Sequence, residues 1–169
     1  MTTGRRATLA AAVAALTLVL SPTLRAQDAI GIALGTKAPG AAVETLDGRP
    51  VDLAQYIGKS PVLLEFWATW CPVCKEMEPA MLAAVKKYGS RVKFIAVAVS
   101  VNESPERIKR YIAKYHYTHE VVFDRDGHAT DAYDVPATSY IVVIDKGGKV
   151  VYTGQGAQQN IEAALQKVL

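Results

Sequence analysis

Leu64-Glu65-Phe66-Trp67-Ala68-Thr69-Trp70-Cys71-Pro72-Val73-Cys74 decides the fold. Upstream, Pro61 to Trp67 is apolar except for Glu65, the pattern of a strand covered on both faces. Downstream, from Pro72 to Tyr88, apolar residues fall at helical spacing: Val73, Met77, Met81, Leu82 and Val85. Pro72 suits a first helical turn, and Pro79 inside the run predicts a kink. The two cysteines therefore sit where a buried strand hands over to a helix.

Outward from this junction, strand and helix signals alternate. Val43 to Leu46, an Asp47-Gly48 turn and Pro50 to Leu53 read as a hairpin, with a helical turn capped by Asp52 and stopped at Gly58. Val92 to Ser100 reads as a strand, and Ser104-Pro105-Glu106 opens a helix with an N-cap and an N1 proline. Val121 to Phe123 is a short strand, followed by a turn and a brief helix before Pro136. Ser139 to Ile144 and Val150 to Thr153 form a second hairpin, and Gln158 to Leu169 closes the chain as a helix. The expected class is an α/β sandwich with a central mixed sheet, in one domain over residues 27–169.

Of the 169 residues, half are apolar and 21% charged, which excludes disorder and collagen-like repeats. The net charge of +3 comes from Arg5, Arg6 and Arg25 in the acid-free first 26 residues; the remainder balances. Nucleic acid is therefore not an expected partner. Those 26 residues read as an export signal, with Arg5-Arg6 ahead of an apolar run from Ala7 to Leu20 and Ala26 at a candidate cleavage point. The run falls short of the roughly 20 residues of a membrane span. Leu24 stands where cleavage favours a small residue, so an uncleaved anchor stays open. Export implies an oxidising, periplasmic or other extracytoplasmic compartment.

There, Cys71 and Cys74 point to redox chemistry. A thiol at a helix N-terminus faces unpaired N–H groups and the positive end of the dipole, which favour the thiolate. Cys71 is expected to attack, and Cys74, three residues on and on the same face, to resolve the mixed disulfide. A purely structural disulfide closes too short a loop to matter much. Structural zinc lacks ligands, since only His116, His119 and His128 are available. Copper handling by the two thiolates is the rival from another class; disulfide oxidase or isomerase is the rival within the same chemistry. No cofactor or metal is called for.

Glu65 has two readings. Facing inward, it is a carboxyl of raised pKa that accepts and returns the proton of Cys74; facing solvent, it leaves Leu64 and Phe66 as the inward pair. Val135-Pro136, at a strand entry, is a candidate docking edge for a substrate chain. Trp70, Pro72 and Val73 are the other candidate substrate contacts. Trp67 and Tyr133 are assigned to the core.

These residues resemble the thioredoxin superfamily, specifically the extracytoplasmic TlpA/ResA-type thiol–disulfide oxidoreductases. The similarity runs from about Ala38 to Leu169 and rests on Leu64 to Lys75, with Pro79 five residues after Cys74. It implies a thioredoxin-like sandwich with an N-terminal hairpin and an extra helix and strand over Ser104 to Phe123. It also implies a buried proton-transfer acid at Glu65 and a cis-proline loop at Val135-Pro136-Ala137-Thr138. The implied function is reduction of exported client proteins, recharged by a membrane thiol donor. Cys-Pro-Val-Cys lacks the intervening His of strong oxidases, which favours the reducing direction. Members that reduce apocytochrome c carry Glu three residues after the second cysteine, where this chain has Met77. A peroxiredoxin would need Thr and Pro where Ala68 and Leu64 stand. With a neutral mature surface and no coiled-coil pattern, a monomer is expected.

Overall fold

The computed structural model describes Met1 and residues 31–169; the export segment expected over residues 1–26 lies outside the described residues, Met1 aside. The elements are β1 (Ala42–Thr45), β2 (Pro50–Asp52), β3 (Val62–Trp67), α1 (Pro72–Tyr88), β4 (Lys93–Val99), α2 (Pro105–Lys114), β5 (Glu120–Asp124), α3 (His128–Ala132), β6 (Tyr140–Ile144), β7 (Val150–Gln155) and α4 (Ile161–Leu165). The strands form one mixed sheet in the order β2-β1-β5-β4-β3-β6-β7. β3, β4 and β5 run parallel, and all other pairings are antiparallel.

β3 lies inside this layer, between β4 and β6, and is buried along its whole length. Its side chains alternate between two cores. Val62, Leu64 and Phe66 pack with Ile95, Val97, Val142 and Tyr133 on the face that carries Ala129 of α3. Leu63 packs with Met77, Met81 and Ile161 under α1 and α4. Trp67 joins Cys71, Cys74, Ile108 of α2 and Phe123 in a third cluster at the top of the same face. Glu65 stands between Leu63 and Trp67 in this alternation, so it points at the helices. Both sheet faces being covered, the solvent-facing alternative for Glu65 does not apply.

Local chemistry explains most element ends. Asp52 caps a 3-10 turn over Leu53–Tyr56 by accepting from Ala54 N–H at 2.8 Å. Ser104 caps α2 through Arg107 N–H, with Pro105 at its first turn. α1 runs from Pro72 to Tyr88 as one helix that passes through Pro79, so the proline does not end it. The closing helix is shorter than the apolar pattern suggested, starting only after Asn160, whose Oδ1 accepts from Ala163 N–H at 2.9 Å. The N-terminal hairpin adds to the sheet beside β5, with Glu44 opposite Phe123 and Thr45 opposite Val122.

Candidate active site

Pairing in β3 stops at Trp67, and Ala68-Thr69-Trp70 carries the chain over the sheet edge to Cys71. Cys71 is the N-cap of α1, in extended conformation, and its Sγ accepts the Cys74 N–H at 3.0 Å. Sulfur thus occupies the place of the usual capping oxygen, against the helix's unpaired donors. Cys71 and Cys74 are joined in a disulfide with Cα atoms 5.3 Å apart. Both cysteines are buried, at 2% and 4% exposure, whereas Trp70 (42%) and Val73 (38%) stand out beside them. Pro72 is also exposed. Attack at such a pair comes through a narrow window framed by exposed side chains.

Beneath this turn, Glu65 is 3% exposed, and its Oε2 has no hydrogen-bond partner. Burial pushes its pKa up to about 8, and the nearby charge of Glu78 adds to the rise. A carboxyl titrating there can take and return a proton near neutral pH. Glu78 lies one turn after Cys74 on α1, and its Oε2 accepts both the Tyr111 and the Tyr117 hydroxyls at 2.8 Å. Trp67 packs against the two phenol rings, at 5.5 and 5.4 Å between centroids. His119 stacks on Tyr117 at 4.9 Å with neither ring nitrogen partnered, and burial holds its pKa down at about 4.

Next to Trp70 lies an apolar groove of about 430 Å³, lined by Val99, Val101, Val135, Ala137 and Thr138. The Trp70 indole N–H donates to Val101 O at 2.7 Å, which fixes the ring as a wall. Thr130 joins the lining from α3, held by the buried Asp124, which accepts its N–H at 2.8 Å and its hydroxyl at 2.6 Å. Among the described residues, no group of three or more His, Cys, Asp or Glu side chains is arranged to hold a metal.

The expectation for Pro136 needs correction. The described chain contains no cis peptide bond, so Val135–Pro136 is trans. The loop turns instead through left-handed φ angles at Asp134 (46°) and Ser139 (65°). Pro136 consequently faces solvent, and the groove is lined by Val135, Ala137 and Thr138 but not by Pro136. Ser139 N–H then donates to Phe66 O at 2.8 Å, starting the β6 pairing. Cys71, Cys74, Glu65, Trp70, Pro72, Val73 and Val135 do converge on one end of the sheet.

Sequence reasoning missed three contributors. Glu78 carried a signal in its spacing, four residues after Cys74 on a helix. Asp124 closes β5 and reads as an ordinary turn residue. Glu103 accepts the Thr69 N–H at 2.7 Å from a loop 34 residues downstream, and nothing local in the sequence marks it.

A redox-capable cysteine pair at a helix N-terminus, reached over an interior strand of a mixed sheet and backed by a buried carboxyl, defines a thioredoxin-like thiol–disulfide oxidoreductase. The chain belongs to the Redoxin family, whose profile matches residues 33–169. It is 31% identical over 137 residues to the thiol-disulfide oxidoreductase ResA of Bacillus thuringiensis subsp. konkukian, covering 80% of this chain and 78% of that protein. Against ResA of Bacillus subtilis it is 37% identical over 120 residues, 71% of this chain and 66% of the relative. Among solved structures, a Chlorobium tepidum protein described as a thiol:disulfide interchange protein, DsbE, superposes with a TM-score of 0.69 at 28% identity, over 80% of this chain and 94% of that one. A secreted Mycobacterium tuberculosis disulfide oxidoreductase gives 0.62 at 26% identity, over 73% and 90%.

Proposed function

We propose that this chain is an exported reductase that returns disulfides of extracytoplasmic client proteins to thiols. The observation that carries the reading is the Cys71–Cys74 disulfide at the N-terminus of α1 above the buried Glu65 carboxyl. In the reduced protein, the Cys71 thiolate attacks one sulfur of a client disulfide and expels the other as a thiolate. Glu65 takes the proton of Cys74, whose sulfur then attacks Cys71 Sγ and releases the second client thiol. The client gains two electrons, and the Cys71–Cys74 disulfide forms. A membrane thiol donor returns those electrons for the next cycle.

The direction is supported by the absence of His between the cysteines, a residue that would stabilise the reduced form. Export is supported by the character of residues 1–26 and by the secreted relative. That leader, cleaved or kept as a tether, accounts for the compartment; among the described residues no helix is long and apolar enough to cross a membrane. The apolar groove beside Trp70 supports docking of an extended client segment, with Val135, Trp70, Pro72 and Val73 around the attacked sulfur.

The test is the reduction potential of residues 27–169, equilibrated with glutathione at pH 7. The expected value lies toward the thioredoxin end of the scale, about −270 mV, rather than near the ~−120 mV of a strong oxidant. A value at the oxidising end overturns the direction. In parallel, Cys71→Ser is expected to abolish reduction of insulin disulfides, and residual turnover would remove Cys71 from the mechanism.

A further inference from the structure

We propose that Glu103 is a positioning residue that holds the Thr69-Trp70-Cys71 turn, and with it the width of the client groove, from the loop between β4 and α2. This rests on the reductase reading above. The Glu103 side chain is wholly inaccessible (0%) although its loop is on the surface. Its Oε2 accepts the Thr69 N–H at 2.7 Å, and its Oε1 accepts the Ser104 N–H at 3.1 Å. Arg107 approaches Oε1 to 3.8 Å and also donates to Asn102 O at 2.6 Å, bracing the loop where Asn102 takes a left-handed φ of 51°.

Two residues back, Val101 O takes the Trp70 indole N–H at 2.7 Å. Consecutive residues of the turn before Cys71 therefore both end on the same five-residue loop, Ser100 to Ser104. β3 has stopped pairing by this point, so the Thr69 N–H has no sheet partner and depends on the carboxylate. Trp70, Ser100 and Val101 line the groove together with Val135, Ala137 and Thr138. Releasing Glu103 frees the Trp70 wall and changes how a peptide seats against Cys71. A small disulfide that needs no groove is affected far less.

The experiment compares wild type, Glu103→Ala and Glu103→Gln in the reduction of a cyclic peptide disulfide and of 5,5′-dithiobis(2-nitrobenzoate), with amide exchange at Thr69 and indole N–H exchange at Trp70 read by NMR. Glu103→Ala is expected to lose about tenfold in kcat/KM on the peptide, carried by KM, as misplacement of a binding wall does. It should keep the small-disulfide rate and expose both N–H groups to exchange. Glu103→Gln retains an acceptor oxygen and should restore the peptide KM. An unchanged peptide KM in Glu103→Ala, an equal loss on both substrates, or failure of Gln to rescue would each overturn the proposal. Should Glu103→Ala not fold, Glu103→Asp, which withdraws the acceptor by one methylene, carries the same expectations. Wild-type failure on the peptide would sink the reductase reading alone, because the exchange measurements still report on the turn.

Discussion

The Tyr117 hydroxyl donates to Glu78 Oε2 at 2.8 Å and so ties the segment after α2 to the turn of α1 that follows Cys74. Tyr111 ends on the same oxygen. Two phenol donors hold the Glu78 carboxyl at a fixed place, and its charge adds to the proton affinity of Glu65. Helix α2 and the segment that follows it thereby reach the chemistry through Glu78. Glu78→Gln removes that charge, so the Glu65 titration, followed by carboxyl carbon NMR, should move to lower pH. Burial stays as the larger cause, so the midpoint should remain above the ordinary carboxyl range. An unmoved midpoint would show that Glu78 is electrically remote.

Glu65 also leaves a mark on stability. Its folded pKa of about 8 lies above the ordinary value of 4.5, so the unfolded chain releases this proton first as pH rises. The part of the stability linked to Glu65 is full below about pH 4.5 and is lost as pH climbs toward 8. The oxidised protein should therefore melt at lower temperature at pH 8 than at pH 5. Glu65→Gln should flatten that slope and melt above wild type at pH 8, while slowing disulfide exchange near pH 7 by ~100-fold. Parallel melting slopes for the two proteins would contradict the buried, titrating carboxyl.

Because Pro136 is trans and exposed and Ala137 lines the groove, the two neighbours should respond in opposite ways. Pro136→Ala is expected to keep peptide-disulfide turnover within about twofold and to lose under ~1 kcal/mol of stability through the freer unfolded chain. Ala137→Phe places a ring in the groove and should raise KM about tenfold with little effect on kcat. Denaturant melts and steady-state kinetics on the same preparations check both.

Cys74→Ser removes the resolving sulfur while Cys71 stays at the head of α1. The mixed disulfide with a client should then persist and appear in intact-mass spectra as the sum of both chains, with catalytic turnover gone. A variant that still turns over would shift resolution to another thiol.

The junction from Leu64 to Cys74 was legible because its features are local. An apolar run, a helical spacing, an N1 proline and two cysteines all fall within a dozen residues, and the sheet and α1 follow from them. Glu65 was legible as an interruption, but its facing was settled only by helices covering both sides of β3. The loop around Pro136 was not legible: Asp134 and Ser139 both take left-handed φ there. Residues without glycine's freedom give little notice of that. Glu103 was invisible for a different reason: its partner lies 34 positions away, and a hydrogen bond to a backbone N–H leaves no mark in side-chain pattern.

One of the two edge strands, β2, has three residues and begins with Pro50, which has no N–H to offer. At that end the sheet presents almost no free backbone ladder to a passing extended chain. A longer edge strand would offer an extended polypeptide a template for strand addition. With that margin blunted by the hairpin, strand addition by an extended polypeptide is disfavoured along β2.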